Sequence, residues 1–275
     1  MFASFLLSLR EGLEAALIIG IVLGALRKIN KDELAPSVWY GAFSAAGLSL
    51  VGGLLLSSFG LSLEGKGEEI FEGFAMILAA GVLTWMIFWM NRQARHIKGE
   101  LESGVAKAAS GSGKRGLFAL AFLAVLREGI ELAIFLTAAV MASSAQSTVV
   151  GGLLGLGISI LLGWMIFATS IQLNLNRFFQ VTGVLLLLFA AGLVAHGVHE
   201  FNEVGWIPAV VEHVWNTNPI LNEESTAGAL LTALFGYNGN PSLTEVLAYL
   251  AYIAGISGIL LQASKPTPRV AEANT

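Results

Sequence analysis

The chain has 275 residues, of which 55% are hydrophobic and 12% are charged, and its formal net charge is −4. A soluble globular domain carries roughly 25% charged residues, so this composition and a mean hydropathy of +0.74 exclude that class and indicate an integral membrane protein. The absence of cysteine excludes disulfides and thiolate metal sites. We expect membrane lipid around the protein and no nucleic-acid partner.

Apolar runs long enough to cross about 30 Å of hydrocarbon as helices predict an all-α membrane fold with seven transmembrane spans. Segments of a transmembrane barrel would alternate in polarity, and runs such as LLGLGISILLGWMIF do not. The predicted spans cover residues 2–26, 37–59, 70–90, 117–142, 148–171, 178–199 and 244–262.

Span 1 contains the charged sequence LREGLE at residues 9–14, and span 4 contains LREGIE at residues 126–131. Each charged side chain costs roughly 2.5 to 3.5 kcal/mol at the centre of a spanning helix, so the repetition indicates a function. At 100° per residue, one third of the helix circumference carries all three charges of each motif. These charged residues are Arg10, Glu11 and Glu14 in span 1, and Arg127, Glu128 and Glu131 in span 4.

Within each motif the arginine can pair with the second glutamate at i, i+4, which lowers the cost of burial. Two arginines cannot neutralise four glutamates, so two carboxylates remain in excess. If the motifs meet at mid-membrane, that excess predicts a cation site, and oxygen ligands suit iron(III), manganese, calcium or magnesium better than copper(I). The alternative is a structural network of ion pairs that fixes helix packing. Duplication favours the site, and Gly12 and Gly129 are expected to let a neighbouring backbone approach the carboxylates.

The recurrence of the motif divides the chain into two predicted repeats, residues 2–90 with spans 1–3 and residues 117–199 with spans 4–6. Span 1 and span 4 run in opposite directions, so the repeats are inverted, and such transporters bind substrate near the midplane between the repeats. An acidic outer segment at residues 200–243, expected to contain short interfacial helices, precedes an additional span at 244–262.

The lysines and arginines outside the motifs lie almost entirely on one side of these spans, including the basic loop 91–116, which we interpret as a juxtamembrane anchor. The positive-inside rule therefore places the N-terminus outside and the C-terminus in the cytoplasm. The other residues that support this orientation are Arg27, Lys28, Lys31, Arg177, Lys265 and Arg269.

Two acidic groups on the outer side are weaker candidates for capturing cations. At the start of span 3 the candidates are Glu68, Glu69 and Glu72, which an acidic helix N-terminus favoured by the macrodipole explains equally well. At the end of span 6 they are His196, His199, Glu200 and Glu203, whose spacing suits a metal if the helix persists and otherwise describes a polar helix end.

The paired REGLE and REGIE motifs resemble those of the iron permease family of fungi and bacteria, whose members are oxidase-dependent iron transporters. The resemblance extends to FEGFAMILAAGVLTWMIFWM at 71–90, IQLNLNRFF at 171–179 and LFGYNGNPSLTEV at 234–246. It implies that the motif glutamates bind iron along a translocation path, and that extracytoplasmic proteins oxidise or deliver the iron. It also implies a capture role for an outer acidic motif.

The predicted function is therefore a permease that imports iron ions across the plasma membrane, the inner membrane in a Gram-negative bacterium, with iron as substrate and no permanently bound cofactor. One alternative is a metal sensor or assembly subunit that does not translocate the ion. Another is a transporter of a different hard divalent cation such as manganese. We expect no enzymatic activity, because the few histidines cluster at one end without a Ser-His-Asp or haem pattern.

Overall fold

The computed structural model describes residues 1–93, 97–111, 113–169, 174–223 and 225–263, and within these ranges the regular structure is entirely helical. Arg95, Lys265 and Arg269, which entered the orientation argument, lie outside them. The helices are α1 (Phe2–Lys28), α2 (Ala35–Leu61), α3 (Lys66–Gln93), α4 (Ile97–Ser110), α5 (Lys114–Met141), α6 (Ala145–Thr169), α7 (Leu175–Val204), α8 (Thr226–Phe235) and α9 (Leu243–Ala263).

Five helices in the described ranges are long and apolar enough to cross a membrane, and they correspond to five of the seven predicted spans. The two other predicted spans form α1 and α5, helices of 27 and 28 residues. Each of these two carries a three-charge motif, whereas the most apolar stretch of each candidate span contains at most two charged residues. The candidate spans are Asp32–Gly60, Lys66–Met90, Ala145–Phe167, Arg177–Val204 and Leu243–Leu261.

The long helices pack so that α2 lies along α5, α1 along α6 and α3 along α7, while α1 also contacts α5. One apolar cluster joins α1, α3, α5 and α7, and a second joins α1, α2, α4 and α5. On α1, Leu7 belongs to the first cluster and Ile19 to the second; on α5, Val125 belongs to the second and Phe135 to the first. The charged motifs therefore form a polar layer between two apolar clusters.

Helix α4 lies in the basic loop 91–116. The sequence of this loop predicts a juxtamembrane anchor. Val105 and Ala109 of this helix are buried, and α4 packs on α1 and α5. The Lys31 ammonium donates to the Ala109 carbonyl at 2.7 Å, close to the helix C-terminus where the macrodipole favours a cation. Part of the loop is thus a packed element, which its weakly apolar sequence did not reveal.

Among its described residues, the segment 205–242 contains one short helix, α8. The Ser225 side chain caps its N-terminus by accepting from the Gly228 N–H at 3.0 Å. Before α8 the chain is attached to the start of α9, since the Leu243 N–H donates to the Val211 carbonyl at 2.9 Å. This segment therefore lies against the ends of α7 and α9.

The Gly236→Ala variant tests how α8 is joined to α7. Gly236 has a φ of 65°, and a Cβ there would overlap the backbone of Gly192 on α7. A left-handed backbone costs alanine about 1–2 kcal/mol, and overpacking adds about 1–3 kcal/mol. Gly205→Ala is a matched control, because Gly205 has a φ of 84° with no described atom within 4 Å of a Cβ. We expect a clearly larger loss of thermal stability in detergent for Gly236→Ala, and equal losses would contradict this packing.

Candidate metal centre

Three glutamates of the two motifs meet where α1 contacts α5. Glu11, Glu128 and Glu131 are buried, and each offers a carboxylate oxygen such that the three oxygens lie within 4.8 Å of one another. Oxygens on opposite sides of one bound cation are about 4–5 Å apart. The spacing therefore fits a single ion held between the two helices.

The intrahelical ion pairs expected from the motif spacing are both present. The Arg10 Nε donates to Glu14 Oε1 at 3.1 Å, and the Arg127 Nε donates to Glu131 Oε1 at 2.9 Å. Glu14, the fourth predicted ligand, is not part of the group of three carboxylates. The structure thus gives Glu14 an ion-pairing contact, whereas Glu131 takes part in an ion pair and in the group.

Several polar atoms of the centre are buried and accept or donate no hydrogen bond within the described residues. They are both carboxylate oxygens of Glu11, one oxygen each of Glu128 and Glu131, and Nη1 of Arg10. Unpaired buried polar groups are costly, and two like charges at this separation repel by about 3–4 kcal/mol at an effective dielectric constant of about 20. A cation is the chemical partner that satisfies the carboxylate oxygens and removes the repulsion between them, whereas Nη1 of Arg10 needs an acceptor.

The arginine of each motif also contacts the C-terminal end of α3, a feature that the sequence did not predict. The Arg10 Nη2 donates to Met90 Sδ at 3.6 Å, and the Arg127 guanidinium carbon lies 4.0 Å from the centre of the Trp89 ring. Both residues looked like ordinary apolar positions of a spanning helix. α3 therefore touches both charged motifs without contributing a carboxylate.

The motif glycines are contacted by serine side chains, whereas the sequence suggested a neighbouring backbone. Gly12 faces Ser159 of α6, and Gly129 faces Ser49 of α2. A methyl group at either glycine would overlap the serine hydroxyl. These close approaches bring α6 and α2 against the two motifs.

The outer candidates lie where the N-terminal end of α3 adjoins the C-terminal end of α7. The helix does persist through Glu203, as the metal spacing required, and Glu200 is close enough to Glu69 and Glu72 to interact with them electrostatically. The Nδ1 of His199 is 3.0 Å from Glu245 Oε1 on α9. These outer groups do not form a three-ligand cluster in the described part of the chain.

His196 is separated from the other outer candidates. Its Nδ1 is 3.0 Å from the Gly192 carbonyl of its own helix, and its ring lines a cavity of about 20 Å³ beside Ser4 and Thr148. That volume is enough for one water molecule. Glu245, the buried partner of His199, was missed because a single glutamate at the start of an apolar helix gives no metal-binding pattern.

Comparisons with known proteins agree with the resemblance seen in the motifs. The model of the iron permease FTR1 family matches residues 1–264. The chain is 35% identical over 255 residues to a protein named ferrous iron permease EfeU from Escherichia coli O6:K15:H31 (strain 536 / UPEC), covering 92% of each chain. It is 34% identical to the Yersinia pestis protein of that name, covering 92% of this chain and 90% of the relative.

A further relative, from Escherichia coli strain K12, is 35% identical over 255 residues and is named putative inactive ferrous iron permease EfeU. No solved structure matches the chain significantly.

Proposed function

Because the chain belongs to the iron permease FTR1 family, we propose that it imports iron across the plasma membrane and binds the ion at Glu11, Glu128 and Glu131. The observation that carries this proposal is the buried group of three carboxylates with unpaired oxygens between α1 and α5. Iron is the substrate here, and the proposal includes no permanently bound cofactor.

Charge balance favours iron(II) as the ion that occupies the centre. Four motif glutamates and two motif arginines leave two negative charges, which a divalent cation neutralises. The names of the relatives specify ferrous iron. Manganese(II) has the same charge and accepts the same oxygen ligands, but iron(II) binds a given site more tightly in the Irving–Williams order.

We propose that α1 and α5 also span the membrane, giving seven spans in two inverted repeats. Helices of 27 and 28 residues are about 40 Å long at 1.5 Å per residue. The main helix pairings are also retained when α1, α2 and α3 are exchanged with α5, α6 and α7, since α1 pairs with α6 as α5 pairs with α2. Gly12 against Ser159 repeats Gly129 against Ser49, which supports the same correspondence.

With the N-terminus outside and the C-terminus in the cytoplasm, the N-terminal end of α3 and the C-terminal end of α7 form the outer mouth of the protein. We propose that its carboxylates gather cations there and that iron-delivering proteins dock on this side. An iron-oxidising partner, which the family resemblance also implies, would supply iron(III) instead of iron(II). The acidic residues at these helix ends would raise the local cation concentration without holding the ion tightly. They are Glu68, Glu69, Glu72, Glu200 and Glu203.

Uptake of radioactive iron into proteoliposomes tests the proposed function. Iron(II) under reducing conditions and iron(III) as a soluble chelate are supplied separately, with manganese(II) as competitor. We expect saturable uptake of iron(II) that excess manganese inhibits weakly. Uptake no greater than in protein-free liposomes would contradict transport, and stronger accumulation of manganese would assign the substrate to that metal.

Neutralising the outer mouth tests its supporting role. In the triple variant Glu68→Gln, Glu69→Gln, Glu72→Gln, we expect the half-saturation concentration for iron to rise about 3- to 10-fold and its salt dependence to weaken, because electrostatic attraction of the cation is reduced. The maximal rate should stay close to that of the wild type. Complete loss of uptake by Glu68→Gln alone would contradict a gathering role.

A further inference from the structure

The C-terminal end of α3 contacts both charged motifs through two consecutive residues, Trp89 and Met90. The Met90 sulfur accepts from Arg10, and the Trp89 ring stacks on Arg127. Consecutive residues on a helix project about 100° apart, so one turn of α3 reaches an arginine of each motif. This turn is placed to act on the carboxylate centre although it supplies no ligand.

The two arginines differ in how well they are enclosed. The side chain of Arg10 is 0% exposed, whereas that of Arg127 is 36% exposed. Arg10 is held by its surroundings, but Arg127 has a free surface along which a long flexible side chain could move. The Trp89 ring lies against the guanidinium and restricts that movement.

The position of Arg127 decides which oxygen of Glu131 is available. Arg127 occupies Oε1 of Glu131 at 2.9 Å, and Oε2 accepts no hydrogen bond within the described residues. A guanidinium that is free to turn can bind both oxygens of a carboxylate at once. It would then compete with a cation for Oε2.

We propose that Trp89 is a positioning residue for the carboxylate centre. Stacked on Arg127, it holds the guanidinium on Oε1 of Glu131 and leaves Oε2 free for the ion. Aromatic rings attract guanidinium groups through the negative face of the ring, so the ring and not merely its volume matters. The identity of the ion rests on the proposed function, whereas the position of Arg127 can be measured without iron.

The first test measures the exposure of Arg127 in the purified full-length protein. An arginine-specific dicarbonyl reagent is applied, and its reaction at Arg127 and at the buried Arg10 is followed by mass spectrometry of the peptides. Trp89→Leu should increase the reaction rate at Arg127 several-fold, and Trp89→Phe, which keeps a ring, should increase it less. Trp164→Leu is the matched control, because Trp164 is 63% exposed on α6 and has no role in the proposal.

If Trp89→Leu leaves the rate of the dicarbonyl reaction at Arg127 unchanged, the proposal is overturned. Reaction at Arg10 would reveal a misfolded variant, and in that case Trp89→Met, which fills much of the space without a ring, carries the same expectation. An increase as large in Trp89→Phe as in Trp89→Leu would also overturn it, since the ring would then not be what restrains Arg127.

The second test asks whether Trp89 acts through Arg127. Trp89→Leu should raise the half-saturation concentration for iron(II) about 3- to 10-fold with a smaller change in maximal rate, and it should have little further effect in an Arg127→Gln background. An equal effect in both backgrounds would overturn the proposal. If the wild type binds no iron, the proposed function fails, while the reaction rate at Arg127 still decides the role of Trp89.

Discussion

Iron uptake per folded molecule is expected to fall by at least about 100-fold when Glu11 or Glu128 is replaced by glutamine. Each change removes one negative charge and one hard oxygen ligand from the group of three carboxylates, and altering even the groups that support a metal ligand typically costs 10- to 100-fold. The ion pairs Arg10–Glu14 and Arg127–Glu131 stay intact. A neutral amide is also cheaper to bury than a carboxylate, so folded yield should be retained.

Uptake and iron binding are measured against the amount of folded protein solubilised in detergent. Glu33→Gln is the control, because Glu33 is exposed in the turn after α1. This substitution removes the same charge at a position away from the centre. Well-folded Glu11→Gln and Glu128→Gln variants with wild-type uptake would mean that these carboxylates are not iron ligands. A loss of folded protein with normal uptake by the remainder would favour the structural network of ion pairs.

The variant Arg10→Gln is expected to lose stability by about 3–5 kcal/mol, the usual cost of removing one partner from a buried ion pair. The Arg10 side chain is 0% exposed, and its loss would leave Glu14 unpaired beside the already unpaired Glu11. Arg127→Gln should cost clearly less, because the Arg127 side chain is 36% exposed and therefore loses fewer packing contacts than the fully enclosed Arg10. Thermal unfolding in detergent and folded yield measure both effects.

The double variant Arg10→Gln, Glu14→Gln separates charge from packing. Removing both charges should recover a substantial part of the lost stability, since no buried carboxylate is then left without its arginine. Equal stability of Arg10→Gln and the wild type would show that the ion pair contributes nothing to the fold.

The sequence predicted the long helices and the local part of the centre well, because both depend on nearby residues. Apolar runs locate membrane helices, and the i, i+4 spacing alone brings Arg10 to Glu14 and Arg127 to Glu131. The meeting of the two motifs followed from charge balance and the expected repeat. Local spacing could not show that Glu14 would lie outside the group of three carboxylates.

Features that depend on contacts between distant segments were not predicted. Trp89, Met90 and Glu245 acquire their roles through partners on other helices, and their own neighbourhoods look like ordinary spanning helices. α4 was missed because a short and weakly apolar helix gives little periodic signal before its neighbours are known. His196 shares a helix face with His199 by spacing, yet it contacts its own backbone instead.

The packing of α1 on α5 and α6 has a consequence for biosynthesis. α1 is made first, whereas α5 and α6, on which it packs, begin only at Lys114 and Ala145. Arg10 and Glu11 are therefore synthesised before their distant neighbours exist, and the ion pair within α1 that moderates their charge at that stage is the local Arg10–Glu14 pair. Non-local contacts form late and leave intermediates exposed, so the polar layer around the α1 charges is complete only after α5 and α6 have been made.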